Sequence, residues 1–325
     1  MATESTDKRI KLRIARVICE TDKIRRYVFE SLDATPLPPF TAGANISVFL
    51  PNEVVRQYSL CGDPADRSRY EIAVLCEVDG RGGSKEIHRT FIEGGEVFIS
   101  SPRNLFPLNQ DANHNILLAG GIGVTPMIAM LQELESRQAS YELHYCTRSI
   151  DTTAFLEFLT PRIQNGRVRI YHDGGDPARG LDIDAFLKSN DQDTHLYYCG
   201  PSGFMKAVKS ASEHWPRKSV HFEYFAASSD ENVLVATENS AFKVKIASTG
   251  EVFDIPSDSS IVDVLRDNGL PVDTQCEEGY CGSCMTRYLS GEPDHRDSVL
   301  DEEDRSQFML ICCSRAKSPC LVLDY

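Results

Sequence analysis

The sequence has no apolar run approaching the roughly 20 residues that a membrane-spanning helix requires. Its opening segment, Met1 to Lys11, is polar and charged and lacks the apolar core of a signal peptide. Both absences lead to the expectation of a cytoplasmic protein with no membrane attachment. Positive charge is also scarce: 34 Lys and Arg stand against 48 Asp and Glu, a net charge of −14. Nucleic acid needs a basic surface to neutralise its phosphates, so no nucleic-acid partner is expected. There is no internal repeat, no catalytic triad and no metal-hydrolase motif. What is present fits a globular chain: 41% hydrophobic and 25% charged residues over 325 positions, enough for two or three separately cored domains.

The eleven cysteines are unevenly placed. Cys19, Cys61, Cys76, Cys146 and Cys199 are scattered through the first two-thirds. Cys276, Cys281, Cys284, Cys312, Cys313 and Cys320 crowd together near the other end. In a reducing compartment such crowding points to metal rather than to disulfides.

Residues 9–108 read as short strands: Ile10 to Ile18, Arg26 to Phe29, Ile46 to Leu50, Arg56 to Leu60, Tyr70 to Leu75 and Glu96 to Ile99. Pro, Gly and Asp clusters separate them, the pattern of a small β-barrel. From residue 113 the texture changes. Apolar strands at Asn115 to Ala119, Leu143 to Cys146, Val168 to Tyr171, Leu196 to Cys199 and Val220 to Phe225 are interleaved with helical stretches. These helices are expected at Thr125 to Arg137, Asp182 to Leu187 and Gly203 to Glu213, which implies a parallel sheet with crossovers. Ala226 to Asn239 has the composition of a linker. Beyond it, Phe242 to Ala247 and Glu251 to Ile255 suggest a hairpin. A helix from Ile261 to Asn268 follows, capped by Asp258 or Ser259 and ended by Gly269. Phe308 to Cys313 reads as a strand. The expected domains are residues 1–110, 111–227 and 240–325, with a linker at 228–239.

Cys276-x4-Cys281-x2-Cys284 followed by a distant cysteine has the plant-type [2Fe–2S] ferredoxin spacing. Gly279 and Gly282 permit the tight loop that three thiolates on one small cluster require. A structural zinc site also uses four cysteines, but more often as two separated C-x2-C knuckles. In the barrel region, Arg56-Gln57-Tyr58-Ser59 puts a cation for a phosphate and an aromatic ring for a flat isoalloxazine on one strand face. Gly80-Arg81-Gly82-Gly83-Ser84 supplies backbone N–H groups, a guanidinium and a hydroxyl, the makings of an anion nest. Gly120, Gly121 and Gly123 lie between a strand and a helix whose first turn holds Thr125 and Pro126. Glycines there let a pyrophosphate approach the helix N-terminus, although the G-x-G-x-x-G fingerprint is absent. Cys199-Gly200-Pro201 ends a later strand, on the same carboxyl edge. Asp173 suits a ribose hydroxyl and would repel a 2′-phosphate, with only Arg148 an obvious nearby cation, so NADH is expected over NADPH.

These motifs together resemble the phthalate dioxygenase reductase family and its vanillate-demethylase relatives, within the ferredoxin–NADP reductase superfamily. The resemblance rests on RQYSLCGDP at 56–64, GRGGS at 80–84, SPRNLFPL at 101–108, GGIGVTP at 120–126, CEEGYCGSC at 276–284, DHRD at 294–297 and ICCSRAKS at 311–318. It implies an antiparallel β-barrel flavin domain, an α/β parallel-sheet nucleotide domain and a C-terminal β-grasp plant-type ferredoxin domain. The implied FMN residues are Arg56, Gln57, Tyr58, Ser59, Val74, Arg81, Gly82, Gly83, Ser84 and Thr125, with Phe225 over the flavin face. The implied NAD residues are Gly120, Gly121, Gly123, Thr125, Pro126, Thr147, Arg148, Asp173, Cys199, Gly200 and Pro201. Periodicity does not decide between the adjacent Cys312 and Cys313. The resemblance makes Cys312 the fourth cluster ligand after Cys276, Cys281 and Cys284, and Cys313 a small core residue, with Cys320 a weaker rival.

Electron counting orders the cofactors. NADH yields two electrons as hydride, the cluster accepts one, and a flavin converts between the two. The implied protein is an NADH-dependent reductase component that uses FMN and a [2Fe–2S] cluster to supply a separate Rieske-type terminal oxygenase, an aromatic-ring dioxygenase or an O-demethylase. Two rivals are an FAD- or FMN-dependent reductase serving a haem monooxygenase and an iron–sulfur redox sensor. The sensor has no need of paired flavin and pyridine-nucleotide motifs.

Overall fold

Alternation along the first strand sets the barrel. In β1 (Ile10–Cys19), Leu12 and Ile14 point into the core, while Lys11 and Arg13 face outward and pair with Glu96 and Glu30 at 2.8 and 2.9 Å. The computed structural model describes residues 9–51, 54–77, 82–189, 193–225, 239–272, 274, 277, 279, 282–297, 299–300 and 302–325. β1 is followed by β2 (Ile24–Ser31), β3 (Ala44–Phe49), β4 (Val55–Ser59), β5 (Arg69–Leu75), helix α1 (Gly83–Thr90), β6 (Glu96–Ile99) and β7 (Arg103–Asn104). The antiparallel order is β4-β3-β6-β1-β2-β5, with β7 on β3. An antiparallel bridge from Leu60 to Ile72 joins the two edges, so the sheet closes on itself. Tyr27, Phe29 and Phe91 fill the interior edge to face.

Next come β8 (His114–Gly120), α2 (Val124–Ser136), β9 (Ser140–Thr147), α3 (Leu156–Gln164), β10 (Val168–His172), α4 (Ile183–Leu187), β11 (Thr194–Cys199), α5 (Ser202–Ala211) and β12 (Val220–Glu223). All strand pairs here are parallel, in the order β10-β9-β8-β11-β12. The chain reverses direction across the sheet between β8 and β11, and a crevice at the strand carboxyl ends is the expected ligand position. The barrel and this sheet belong to one compact unit that ends at Glu223. They share apolar packing of Ala42, Phe106 and Leu108 with Met127 and Tyr197. Hydrogen bonds stitch the seam, among them Ala42 N to Glu133 Oε2 and Phe155 N to Glu20 Oε2, both 2.8 Å, and Asn109 N to the Tyr197 hydroxyl, 2.7 Å.

The second compact unit runs from Tyr224 to Tyr325. It contains β13 (Phe242–Ile246), β14 (Val252–Ile255), α6 (Ile261–Asp267), β15 (Met285–Ser290), β16 (Pro293–Asp294), α7 (Glu302–Arg305), β17 (Phe308–Leu310), β18 (Arg315–Ala316) and β19 (Cys320–Leu323). Its main sheet has the order β14-β13-β19-β15-β17, with β13 and β19 parallel. Ile261, Val262 and Leu265 of α6 pack into its core with Ile255, Leu310 and Leu321.

Three local expectations need correcting. The α6 cap is Ser260, which forms a capping box with Asp263; Asp258 and Ser259 precede it. The strand at Phe308 stops at Leu310, and Ile311 to Cys313 form a turn, so the alternation of faces assumed for Cys312 and Cys313 does not apply. The last strand of the parallel sheet ends at Glu223, before Phe225. The expected linker falls almost wholly outside the described residues. No helix among the described residues is long and apolar enough to cross a membrane.

Candidate functional site

The two flavin motifs meet through a missing side chain. A Cβ at Gly83 would stand 2.7 Å from Arg56 Nε and 2.8 Å from its Cγ, so the arginine lies across the start of α1 only because residue 83 is glycine. Gly82 adopts a left-handed φ of +86°, and no side chain caps the helix. The uncapped N–H groups and positive dipole end beside a guanidinium have the sign a phosphate needs. The Ser84 hydroxyl accepts a bond from Glu77 N at 3.1 Å, pinning the two ends of the loop. Glu86, the acidic residue of this turn, is engaged by Arg89 at 2.6 Å. Arg81 lies outside the described residues. Gln57 and Tyr58 are half-buried on β4, and burial pushes the Tyr58 phenol pKa up. Val74 does not offer its side chain: it is 1% exposed in the barrel core, and its carbonyl faces His88 Nε2 at 2.9 Å.

Ser59 faces the other way. Its hydroxyl donates to Glu223 Oε2 at 2.8 Å, and the Asn45 amide, its cross-strand neighbour, reaches Glu223 Oε1 at 3.4 Å. Part of Glu223 touches solvent, but its carboxylate is closely enclosed. Burial is the main cause that pushes its pKa up to about 7, against the two donors, which pull it down. Glu223 also stands beside Cys199 in the β11–β12 register. The Cys199 thiol is fully buried and held well above its usual pKa, first by burial and then by Glu223. Glu223 and Asn45 were not legible as site residues, since their partner is far away in sequence.

The nucleotide motifs are pressed together in the same manner. A Cβ at Gly123 would fall 2.2 Å from the Cys199 carbonyl oxygen, and one at Gly200 would fall 3.0 Å from Gly120 Cα. The backbones after β8 and β11 therefore touch where the strand order reverses, with the Phe204 ring packed against Gly120 and Gly200. Gly121 turns with φ +53°. Pro126 is the third residue of α2. Thr125 is buried, and its hydroxyl donates to Ile122 O at 3.0 Å, so that hydroxyl serves its own turn. Gly120 packs against Pro201.

At the ends of β9 and β10, Asp173 N donates to Thr147 O at 3.1 Å and Gly174 N donates to Arg148 O at 2.9 Å. Thr147, Arg148 and Asp173 thus form one corner. The Thr147 hydroxyl is taken up by Thr153 and His172 Nδ1, at 2.8 and 2.9 Å. Asp173 Oδ1 accepts from Gly175 N at 2.7 Å. Sequence reading missed a second cation: Arg179 Nη1 comes within 3.5 Å of where a Gly174 Cβ would stand.

In the second unit, Cys276 and Cys281 lie outside the described residues. Cys284 and Cys312 are buried at 4% and 7% exposure in the same core. Pairing of Met285 with Leu310 brings their segments together, and Ile311 N donates to Cys284 O at 3.4 Å. Gly279 and Gly282 are left-handed at φ +76° and +77°. A Cβ at Gly279 would lie 2.5 Å from Cys313 Sγ, so Cys313 also leans on the cysteine loop. Soft thiolate donors on a glycine-turned loop, backed by a buried thiol from a neighbouring turn, fit an iron–sulfur cluster. Phe225 follows β12 by two residues and is 36% exposed.

Known proteins agree with this arrangement over the full length. The 2Fe-2S iron-sulfur cluster binding domain family matches residues 244–317. The chain is 46% identical to the tert-butanol monooxygenase / tert-amyl alcohol desaturase reductase subunit of Aquincola tertiaricarbonis, over 97% of this chain and 96% of that protein. It is 43% identical to phthalate dioxygenase reductase of Burkholderia cepacia over 100% of both. A solved structure of phthalate dioxygenase reductase, described as modular for electron transfer from pyridine nucleotides to [2Fe–2S], superposes with a TM-score of 0.73 at 42% identity over 98% of each chain. With a closed barrel, a parallel sheet whose glycine motifs meet at its switch point, and a cysteine-rich β domain, the chain belongs to the phthalate dioxygenase reductase family of flavin- and iron–sulfur-dependent oxidoreductases.

Proposed function

We propose that the protein is the reductase component of a two-component oxygenase system, drawing electrons from NADH and delivering them singly to a Rieske-type terminal oxygenase. The observation that carries this reading is the junction at Ser59, Glu223 and Cys199, where the flavin motif of the barrel and the nucleotide motif of the sheet share one bonded contact. When bound, FMN converts two-electron hydride chemistry into single-electron delivery, which the [2Fe–2S] cluster passes on. A plant-type cluster near about −400 mV is a strong enough reductant for an oxygenase.

The residues have separate tasks. Arg56, Arg81 and the N–H groups from Gly82 to Ser84 hold the flavin phosphate, and Tyr58 packs on the ring. Gln57 lies beside Tyr58 on β4, Val74 backs the site from the barrel core on β5, and Thr125 shapes the α2 turn. Gly120, Gly121, Gly123, Gly200 and Pro201 leave room for the nucleotide, and Asp173 takes a ribose hydroxyl. Phe225 covers the flavin face until nicotinamide arrives. Glu223 titrates at about 7 beside the Ser59 hydroxyl and the Asn45 amide, both of which donate to its carboxylate. Cys276, Cys281, Cys284 and Cys312 ligate the cluster. Functionally the modules are residues 1–110, 111–227 and 240–325.

The test begins with flavin chromatography of the denatured protein, which should return FMN. NADH-reduced protein is then mixed rapidly with a purified Rieske oxygenase and, separately, with a haem monooxygenase. Bleaching of the Rieske centre alone supports the proposal; reduction of the haem alone reassigns the partner.

A further inference from the structure

Within the cysteine loop the chain turns left-handed at Glu277, with φ +54°. That conformation is unfavourable for a residue bearing a Cβ, and glutamate is not among the types that visit it readily. It persists only where neighbours hold it. Here the carboxylate is gripped from two sides. Arg266 Nη1 donates to Glu277 Oε1 at 2.5 Å while Arg266 Nη2 donates to the Thr274 oxygen, and the Thr274 hydroxyl donates to the same Glu277 oxygen at 2.8 Å. Arg266 stands on a firm base. It occupies the last turn of α6, where a cation suits the helix dipole, and the Ser260–Asp263 capping box fixes the first turn. The two charged side chains are 40% and 49% exposed, so as a plain ion pair they would contribute little. What a guanidinium adds is direction: a planar fork that addresses two acceptors at once, which a lysine cannot copy.

We propose that Arg266 is a positioning residue for the iron–sulfur cluster: it clamps Glu277 in its left-handed turn and thereby sets how firmly the cysteine loop holds the cluster. The proposal rests on the cluster-binding role given above to that loop. Its logic separates strain from charge. If the clamp exists to hold an unfavourable turn, a residue that takes the turn without strain should make Arg266 dispensable.

The experiment uses the intact, cluster-loaded protein and follows the visible cluster absorbance after addition of an iron chelator. Arg266→Ala should shorten the half-life of the cluster on the order of tenfold, and Arg266→Lys by less. Glu277→Gly should stay within about twofold of the parent. The double variant Arg266→Ala/Glu277→Gly should match Glu277→Gly alone, the non-additivity of a coupled pair. NADH reduction of the flavin should be unchanged in all four. Equal half-lives for Arg266→Ala and the parent overturn the clamp, as does the same loss from Arg266→Ala in both backgrounds. If Arg266→Ala cannot be isolated with a cluster, recovery of the cluster in the double variant supports the clamp and failure to recover overturns it. A parent without cluster absorbance overturns the cluster reading itself, and the clamp with it.

Discussion

Ser59 and Glu223, one on the barrel and one at the end of the parallel sheet, are joined by a 2.8 Å hydrogen bond from the serine hydroxyl to the glutamate carboxylate. The bond ties the flavin motif to the strand that flanks Cys199, and it places a titrating group at the junction.

The first prediction concerns that group. A carboxyl whose folded pKa, about 7, lies above its ordinary 4.5 gives stability that is complete below the lower value and lost as pH rises through the upper one. Glu223→Gln removes the ionisation. Relative to the parent, its melting temperature should change by less than about 1 °C at pH 5 and rise by roughly 2–6 °C at pH 8. The pH profile of NADH-driven flavin reduction should lose a step near pH 7 in the same variant. Parallel melting curves across this range would remove Glu223 as the group responsible.

Gly123 is the tightest glycine contact at the nucleotide site, with no room for a methyl group against the Cys199 carbonyl. Gly123→Ala should lower kcat/KM for NADH at least about tenfold, because the loop must retreat to relieve the overlap. Flavin and cluster content should be unaffected. Gly203→Ala is the control: open space surrounds it at the start of α5, and the change should be neutral or slightly stabilising.

Asp173 is the proposed discriminator between the two nucleotides. In steady-state kinetics the parent should favour NADH, and Asp173→Ser should improve kcat/KM for NADPH by roughly tenfold through loss of like-charge repulsion. Arg148 and Arg179 border the same corner and could then address a 2′-phosphate. A parent that uses both nucleotides equally would remove Asp173 as the discriminator.

The fourth cluster ligand is tested by two substitutions. Cys312→Ser should abolish the normal [2Fe–2S] absorbance and delivery to the acceptor, while NADH still reduces the flavin. Cys313→Ala should retain the cluster. Because the two thiols share a turn and Cys313 rests on Gly279, the reversed result would move the ligand by a single residue.

Much of this architecture could be read from residue order. Helix α2 was placed to within one residue at each end, because glycines precede it and an apolar face runs from Val124 to Leu134. Strand β6 was placed on its observed residues. Helix α1 was not foreseen: its sequence GSKEIHRT is polar, and Ile87 is its only large buried side chain. The cap of α6 was misread by one residue because three polar candidates stand in a row, and only the reciprocal bond to Asp263 selects Ser260. Ile311 to Cys313 are as apolar as a strand, which hides the turn that ends β17 at Leu310. The site motifs were legible as motifs. Their convergence was not, since Ser59–Glu223 and Gly123–Cys199 are contacts made by tertiary folding between segments with no local signal of each other.

The position of β19 bears on how the protein is made. Cys320–Leu323 sits in the middle of its sheet, hydrogen-bonded to β13 on one side and β15 on the other. A ribosome delivers this segment only after Cys276, Cys281, Cys284 and Cys312 have been made. Until then β13 and β15 present open edges that invite wrong partners, and the core behind Cys284 and Cys312 lacks Leu321 and Leu323. Stable iron and sulfide loading is therefore expected only once this strand is in place, and a chain halted before Pro319 should carry flavin but show no cluster absorbance even when iron and sulfide are plentiful.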